Sequence, residues 1–222
     1  MDSSSDTLIV TAHPDDETIF FAGLIYLRQK SRVKVLCMTD GNADEEGETR
    51  EKDFFTALQA LGAKGEIIGL PDKYEKRLDI DTMVQRLKAE KCKDVFTHNI
   101  AGEYGHPHHQ DVSYATHLAF SNKQVMSTAY NSFPEMRVNL SEDQWKQKFK
   151  ILNSTYWHET KRFIQFLPCS WVEGFQAISL NEVKIVYQFL TGNITIEKLR
   201  LTQLAPFRDY LIHLQDHQQR PF

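Results

Sequence analysis

Thr7-Leu8-Ile9-Val10-Thr11-Ala12-His13-Pro14-Asp15-Asp16-Glu17 is the stretch on which the fold turns. Residues 7–12 form a short β-branched, apolar run, the composition of a buried parallel strand. Its polarity reverses at His13. Pro14 fixes φ near −65° and stiffens the turn. From Ile19 to Lys30, apolar residues fall on one face, as a helix requires. The pattern then repeats. Strands are expected at 33–38, 66–70 and 94–98, and helices at 49–61, 81–91 and 110–120. Strand and helix alternating over short links means βαβ units. The expected fold is α/β, Rossmann-like, with a mostly parallel sheet and helices on both faces. Ligands in such sheets gather at the carboxyl ends of the strands. His13–Asp16, Asp40, Asp72 and the 98–109 segment all follow strands, so the polar chemistry falls on one rim.

Beyond residue 120 the pattern weakens. A strand is expected over 127–131 and helices over 141–153, 183–189 and 196–205. The aromatic segment 163–171 is unassigned. Residues 1–222 are expected to form one domain, with 7–120 as its α/β core and 121–222 as a less regular portion bearing on substrate specificity.

Bulk properties narrow the function. The chain has 222 residues, 26 basic against 30 acidic, for a net charge of −4. That balance disfavours a nucleic-acid binder, which carries a basic surplus. The 3 cysteines lie far apart, so a disulfide framework is not expected. Cys37, inside an apolar run, is expected to be a buried free thiol. Met1–Asp6 has neither a basic nor an apolar segment, and no stretch approaches the roughly 20 apolar residues of a membrane helix. A cytoplasmic protein without a transmembrane segment is therefore expected, its homo-oligomerisation left open. The sequons at Asn139, Asn153 and Asn193 are taken as chance matches.

Two clusters carry chemistry. Imidazole plus carboxylate is a normal donor set for a catalytic zinc, and His13 and Asp16 can reach one ion across a tight turn. Asp15 would then point elsewhere, free to act as a base. The competing role for an Asp here is to cap the helix. The second cluster is Glu103-Tyr104-Gly105-His106-Pro107-His108-His109. Pro107 suits the first turn of a helix, from which His109 could project inward as a third ligand. His106 could face a substrate. His117 is expected to be a core or surface histidine. The Asp40–Asp44 segment lacks the spacing of a calcium loop and is expected to be solvated. Trp157, Phe163, Phe166 and Trp171 could stack on sugar rings, but aromatic core is the expected role.

Ala12-His13-Pro14-Asp15-Asp16-Glu17 and Gly105-His106-Pro107-His108-His109 resemble the two motifs of the PIG-L/LmbE-like de-N-acetylase family, the second usually written G-H-P-D-H. Thr49-Arg50-Glu51 with Ala57, Leu61 and Gly62, and Gly69-Leu70-Pro71-Asp72, resemble two further family segments. The resemblance spans roughly residues 7–120. It implies a zinc-dependent hydrolase that removes the N-acetyl group from an N-acetylglucosamine-type small-molecule substrate. It implies His13, Asp16 and His109 as zinc ligands, Asp15 as general base and His106 as the histidine that stabilises the tetrahedral intermediate. Arg50, Asp72 and Tyr104 match substrate-contacting positions. His108 stands where many members carry Asp, which leaves Asp111 or Glu103 to orient His106. The alternatives are a saccharide-binding module whose catalysis has lapsed, and a metal-dependent phosphohydrolase using Asp15, Asp16 and Asp40 around magnesium.

Overall fold

A computed structural model of the chain describes residues 5–29, 31–73, 76–130, 132–163 and 166–218. The opening Met1–Ser4, the helix end at Lys30, the strand end at Asn131 and the 164–165 part of the aromatic segment lie outside these residues.

Seven strands form one sheet in the order β3-β2-β1-β4-β5-β7-β6. They are β1 (Ser5–Thr11), β2 (Val33–Thr39), β3 (Lys64–Leu70), β4 (Cys92–Thr97), β5 (Val125–Thr128), β6 (Met136–Asn139) and β7 (Val172–Ala177). The first five run parallel; β7 pairs antiparallel with both β5 and β6. Leu8, Ile9 and Val10 are fully buried, as a central strand covered on both faces must be. With β2 on one side of β1 and β4 on the other, the strand order reverses there. A crevice opens at their carboxyl ends.

Helices cover both faces. On one lie α1 (Asp16–Leu27), α2 (Gly47–Leu61) and α5 (Glu142–Lys150). α5 runs on as a π-helical turn, Ile151–Thr155, before the single-turn α6 (Trp157–Thr160). On the other lie α3 (Ile80–Lys88) and α4 (Pro107–Ala119), with α7 (Leu180–Leu190) packed outside α4 and α8 (Arg208–Gln218) against α7. Helix α1 is apolar all round because it is sandwiched between the sheet and α5. Each fully buried Leu, Ile or Phe there contributes about 1.5–3 kcal/mol. Glu173 of β7 reaches across to accept from the Gly23 and Leu24 amides, and Lys148 pairs with it at 2.9 Å. Among the described residues, no helix is long and apolar enough to cross a membrane.

The sequence expectations hold best in the first 120 residues. Cys37 is buried and free, as expected. The helix expected over 196–205 is not formed: Ile196–Lys198 makes a 3-10 turn and a second begins at Ala205, because Leu199 and Leu204 between them are buried by an irregular chain rather than by a helical face. The aromatic-core role also fails. Trp157, Phe166 and Trp171 are 48%, 62% and 63% exposed.

His117 is buried on α4. Its Nδ1–H donates to the Ser113 carbonyl at 2.8 Å, and Nε2 has no hydrogen-bond partner among the described residues. Burial lowers this imidazole to about 4. The unfolded chain takes up that proton near pH 6.5, whereas the folded chain refuses it until about 4. Stability should therefore fall as pH drops through this window, by up to about 1.4 kcal/mol per pH unit. His117→Leu should remove that part of the acid slope in urea unfolding measured across the window. An unchanged slope would show that His117 charges in the folded state.

Candidate active site

The turn after β1 is unusual. Asp15 occupies the position before α1 with φ at 129°, a region non-glycine residues avoid, and its side chain makes no capping hydrogen bond. Capping therefore does not explain Asp15. Its amide instead donates to Glu17 Oε2 at 3.1 Å, and its carboxyl lines the cavity. Asp16 turns the other way. Its Oδ2 accepts the His13 amide at 2.7 Å, and Oδ1 lies 3.4 Å from His109 Nε2. Glu17 is sealed beneath, accepting from the Thr18 and Tyr156 hydroxyls, and burial raises it to about 7.

His109 arrives on the first turn of α4. That helix starts at Pro107, earlier than the sequence pattern suggests, with the His106 ring accepting the His108 amide as its cap. Gly102 and Gly105 make the approach possible. Both have positive φ, and a Cβ on Gly102 would sit 2.5 Å from the His106 carbonyl oxygen. At Gly105 it would strike Leu214 of α8 at 2.6 Å.

Three donors converge. His109 Nε2 lies 3.3 Å from His13 Nδ1 and 3.4 Å from Asp16 Oδ1, and His13 Nδ1 lies 3.5 Å from Asp16 Oδ2. In a tetrahedral zinc site with bonds of about 2.0–2.1 Å, donors sit about 3.3–3.4 Å apart. The proton positions fit as well. Glu103 Oε2 accepts from His109 Nδ1 at 2.7 Å, which leaves the His109 Nε2 lone pair facing inward. Three acceptors thus face one another in a buried pocket, and a cation suits them. Burial holds His13 down to about 4, so it is neutral and able to ligate. Burial opposes charge on Asp16, but His109 and His98 beside it keep the carboxylate well below its usual range.

Glu103 has a different role from the one expected of it. It accepts from His109, from His98 Nδ1 at 3.2 Å, from the Asn99 amide at 2.9 Å and from the Thr128 hydroxyl. Asp111 is committed to the Leu78 amide, Arg77 and the Tyr187 hydroxyl. Glu103 orients His109, and Asp111 ties α4 to α7. His106 accepts at Nδ1 from its own helix, so a neutral ring carries its proton on Nε2. Burial, then the neighbouring imidazoles of His109, His13 and His108, lower its basicity.

Arg50 is buried, not a surface charge. It donates to the Pro14 and Gly41 carbonyls at 3.0 and 3.3 Å and lies 3.7 Å from both Asp15 and Asp72. Burial raises Asp15 well above the usual carboxylate range, with Arg50 opposing. Asp40 is not merely solvated. Its Oδ1 accepts the Asp72 and Asn42 amides, stapling the loops after β2 and β3. A cavity of about 960 Å³ opens over His13, Asp15, Asp16 and His106, and Arg50, Asp72 and Tyr104 line it too. Tyr130, Glu159, Arg162, Phe163 and Phe166 add a wall from the second half of the chain. Sequence patterns assign no role to His98 or Glu159; the Thr97-His98 pair where β4 ends was the one available signal for His98.

The model of the family described as PIG-L, GlcNAc-PI de-N-acetylase, matches residues 8–120. The chain belongs to the PIG-L family. Among curated proteins it is similar to the Bos taurus N-acetylglucosaminyl-phosphatidylinositol de-N-acetylase, 34% identical over 117 residues, which are 47% of this chain and 46% of that protein. The chain thus spans about half the length of the curated relatives it matches. Among solved structures it resembles the Pyrococcus horikoshii N,N'-diacetylchitobiose deacetylase, with a TM-score of 0.58 and 17% identity over 81% of this chain and 85% of that one. It resembles equally the 4-carboxy-2-hydroxymuconate hydratase GalB of Pseudomonas putida, with a TM-score of 0.58 and 16% identity over 78% and 96%. At such identities the likeness is one of fold, and the side chains of the site must carry the chemistry.

Glu103→Gln is expected to weaken the affinity of this donor set for a divalent cation such as zinc by about 10- to 100-fold while the protein stays folded. Competition with a chromophoric chelator measures this; unaltered affinity would show that the Glu103–His109 bond does not set the ligand.

Proposed function

We propose that this PIG-L family chain is a zinc-dependent hydrolase that removes the N-acetyl group from an N-acetylglucosamine-type substrate. The observation that carries this reading is the convergence of His13 Nδ1, the two oxygens of the Asp16 carboxylate and His109 Nε2 at 3.3–3.5 Å, beside a carboxyl that none of them uses. In this reading residues 7–120 supply the metal and acid–base groups, and residues 121–222 shape the substrate side of one catalytic unit. Zinc held by His13, Asp16 and His109 would supply Lewis acidity that makes water a competent nucleophile near neutral pH.

Asp15 takes the proton from the attacking water as its oxygen bonds to the acetyl carbonyl carbon. Burial suits it to that work, because a carboxyl with raised affinity for the proton is a better base. Arg50 holds the Pro14 carbonyl and stands beside Asp15, keeping the turn in its strained form. His106 Nε2–H faces the carbonyl oxygen as negative charge develops there; one such donor is typically worth about 3–4 kcal/mol. The C–N bond then breaks. Asp15 returns its proton to the departing nitrogen, and acetate and a free amine result. Arg50, Asp72 and Tyr104 are assigned to the sugar, Arg50 by its planar fork of donors and Asp72 by its acceptor oxygens. Tyr104, 55% exposed at the cavity mouth, is suited to cover the ring.

Asp15→Asn removes the base and spares the donor set. The variant is expected to bind one zinc per chain and to lose about 10²–10⁴-fold in kcat. Acetate release from a panel of N-acetylglucosamine conjugates, with metal analysis of the same samples, measures both. Undiminished turnover would remove Asp15 as the base. Metal loss alongside activity would mean that Asp15 is itself a ligand.

A further inference from the structure

The imidazole of His13 has two edges, and only one belongs to the site described above. Its Nε2 edge faces a second convergence. His108 Nδ1 lies 3.1 Å from His13 Nε2, Asp72 Oδ1 lies 3.7 Å from the same atom, and His108 Nδ1 and Asp72 Oδ1 are 3.4 Å apart. These separations straddle the spacing of about 3.3 Å between donors around tetrahedral zinc, as those on the Nδ1 edge do. His106 adds a fourth group: His13, His106 and His108 can each offer a ring nitrogen within 4.8 Å of one another.

With its imidazoles neutral this cluster is one hydrogen short, a deficit that either a proton on His108 or a cation fills. His108 Nε2–H donates to the Lys76 carbonyl at 2.8 Å, so the neutral ring turns its Nδ1 lone pair inward. Asp72 Oδ1 is also an acceptor. The single hydrogen on His13 Nε2 serves one of them and leaves the other facing an acceptor. His108 is fully buried and Asp72 is 7% exposed, so the cluster meets solvent only through the cavity. The cavity reaches the cluster through His13, Asp72 and His106, which gives an ion a way in.

We propose that His108 Nδ1, Asp72 Oδ1 and the Nε2 edge of His13, with His106 at the mouth, form a second, weaker site for a divalent cation of the zinc type. This inference rests on the first site being a zinc site. Filling the second site displaces the His13 Nε2 proton to solvent, and the imidazole then bridges two cations. That deprotonation, together with repulsion between the ions, makes the second site the weaker. Occupancy takes Asp72 and His106 out of the chemistry assigned to them, so excess metal switches the enzyme off.

The test is calorimetric titration of the metal-free 222-residue chain with zinc, repeated with cobalt to read ligand sets by absorption. Wild type should bind two equivalents, the second weaker by about ten-fold or more and releasing an additional proton. His108→Asn should keep the tight phase and lose the weak one. If His108→Asn also loses the tight phase, Asp72→Asn carries the test: loss of the weak phase alone supports the site, and its retention overturns it. A single equivalent in wild type overturns the second site and leaves the first standing. Two equivalents retained in a His108→Asn protein with its tight phase intact overturn the assignment to His108. No binding at all removes the first site and this proposal together.

Discussion

The site depends on one buried carboxylate. Glu103 is 4% exposed and sits in a left-handed backbone conformation between Gly102 and the α4 helix. It receives hydrogen bonds from His109, His98, the Asn99 amide and the Thr128 hydroxyl. Burial alone would hold it protonated; His98 and His109 overcome that and lower it. A single charge thereby joins the end of β4, the end of β5 and the first turn of α4. It also fixes which nitrogen of His109 looks at His13 and Asp16. Removing its charge would free the ring and leave several donors unpaired, a cost far above that of an exposed ion pair.

Around that anchor the site follows a simple division. Neighbouring acids do opposite work because the strained turn at Asp15 sends their side chains apart. Asp16 is kept ionised by two imidazoles, whereas Asp15 is pushed toward holding a proton by burial. Equal chemistry in sequence thus becomes unequal chemistry in space. The histidine cluster divides likewise: His109 by Glu103, His13 by His108 and Asp72, and His106 by its own helix.

Much of this was legible in the sequence, and the failures have physical causes. Strands β1 and β2 are mostly apolar runs because both faces are covered, whereas β3 at the sheet edge is half-buried; the turn from Ala12 into His13 marks the rim directly. Helix α4 could be read only from Gln110 on, since a turn of Pro and His carries no apolar period. Strands β6 and β7 were missed because an outer antiparallel pair alternates weakly and Gly174 interrupts it. The aromatics over 157–171 were taken for core, yet composition cannot say whether a Phe faces an interior or a cavity wall. Glu103 was one of two acids, with Asp111, considered for orienting His106; nothing in a local motif shows that it folds back beneath His109 and His98. The wall built by Tyr130, Glu159, Arg162, Phe163 and Phe166 lies beyond the matched residues 8–120. The far wall of the cavity therefore comes from the part of the chain where sequence patterns say least.

The central claim is that one cation is held jointly by the turn after β1 and the first turn of α4. Zinc-edge anomalous diffraction from crystals of the protein loaded with a single equivalent tests it most directly. The account predicts one peak, within bonding distance of His13 Nδ1, Asp16 Oδ1 and His109 Nε2. A peak ligated by a cysteine sulfur, or one seated away from His109, would contradict it.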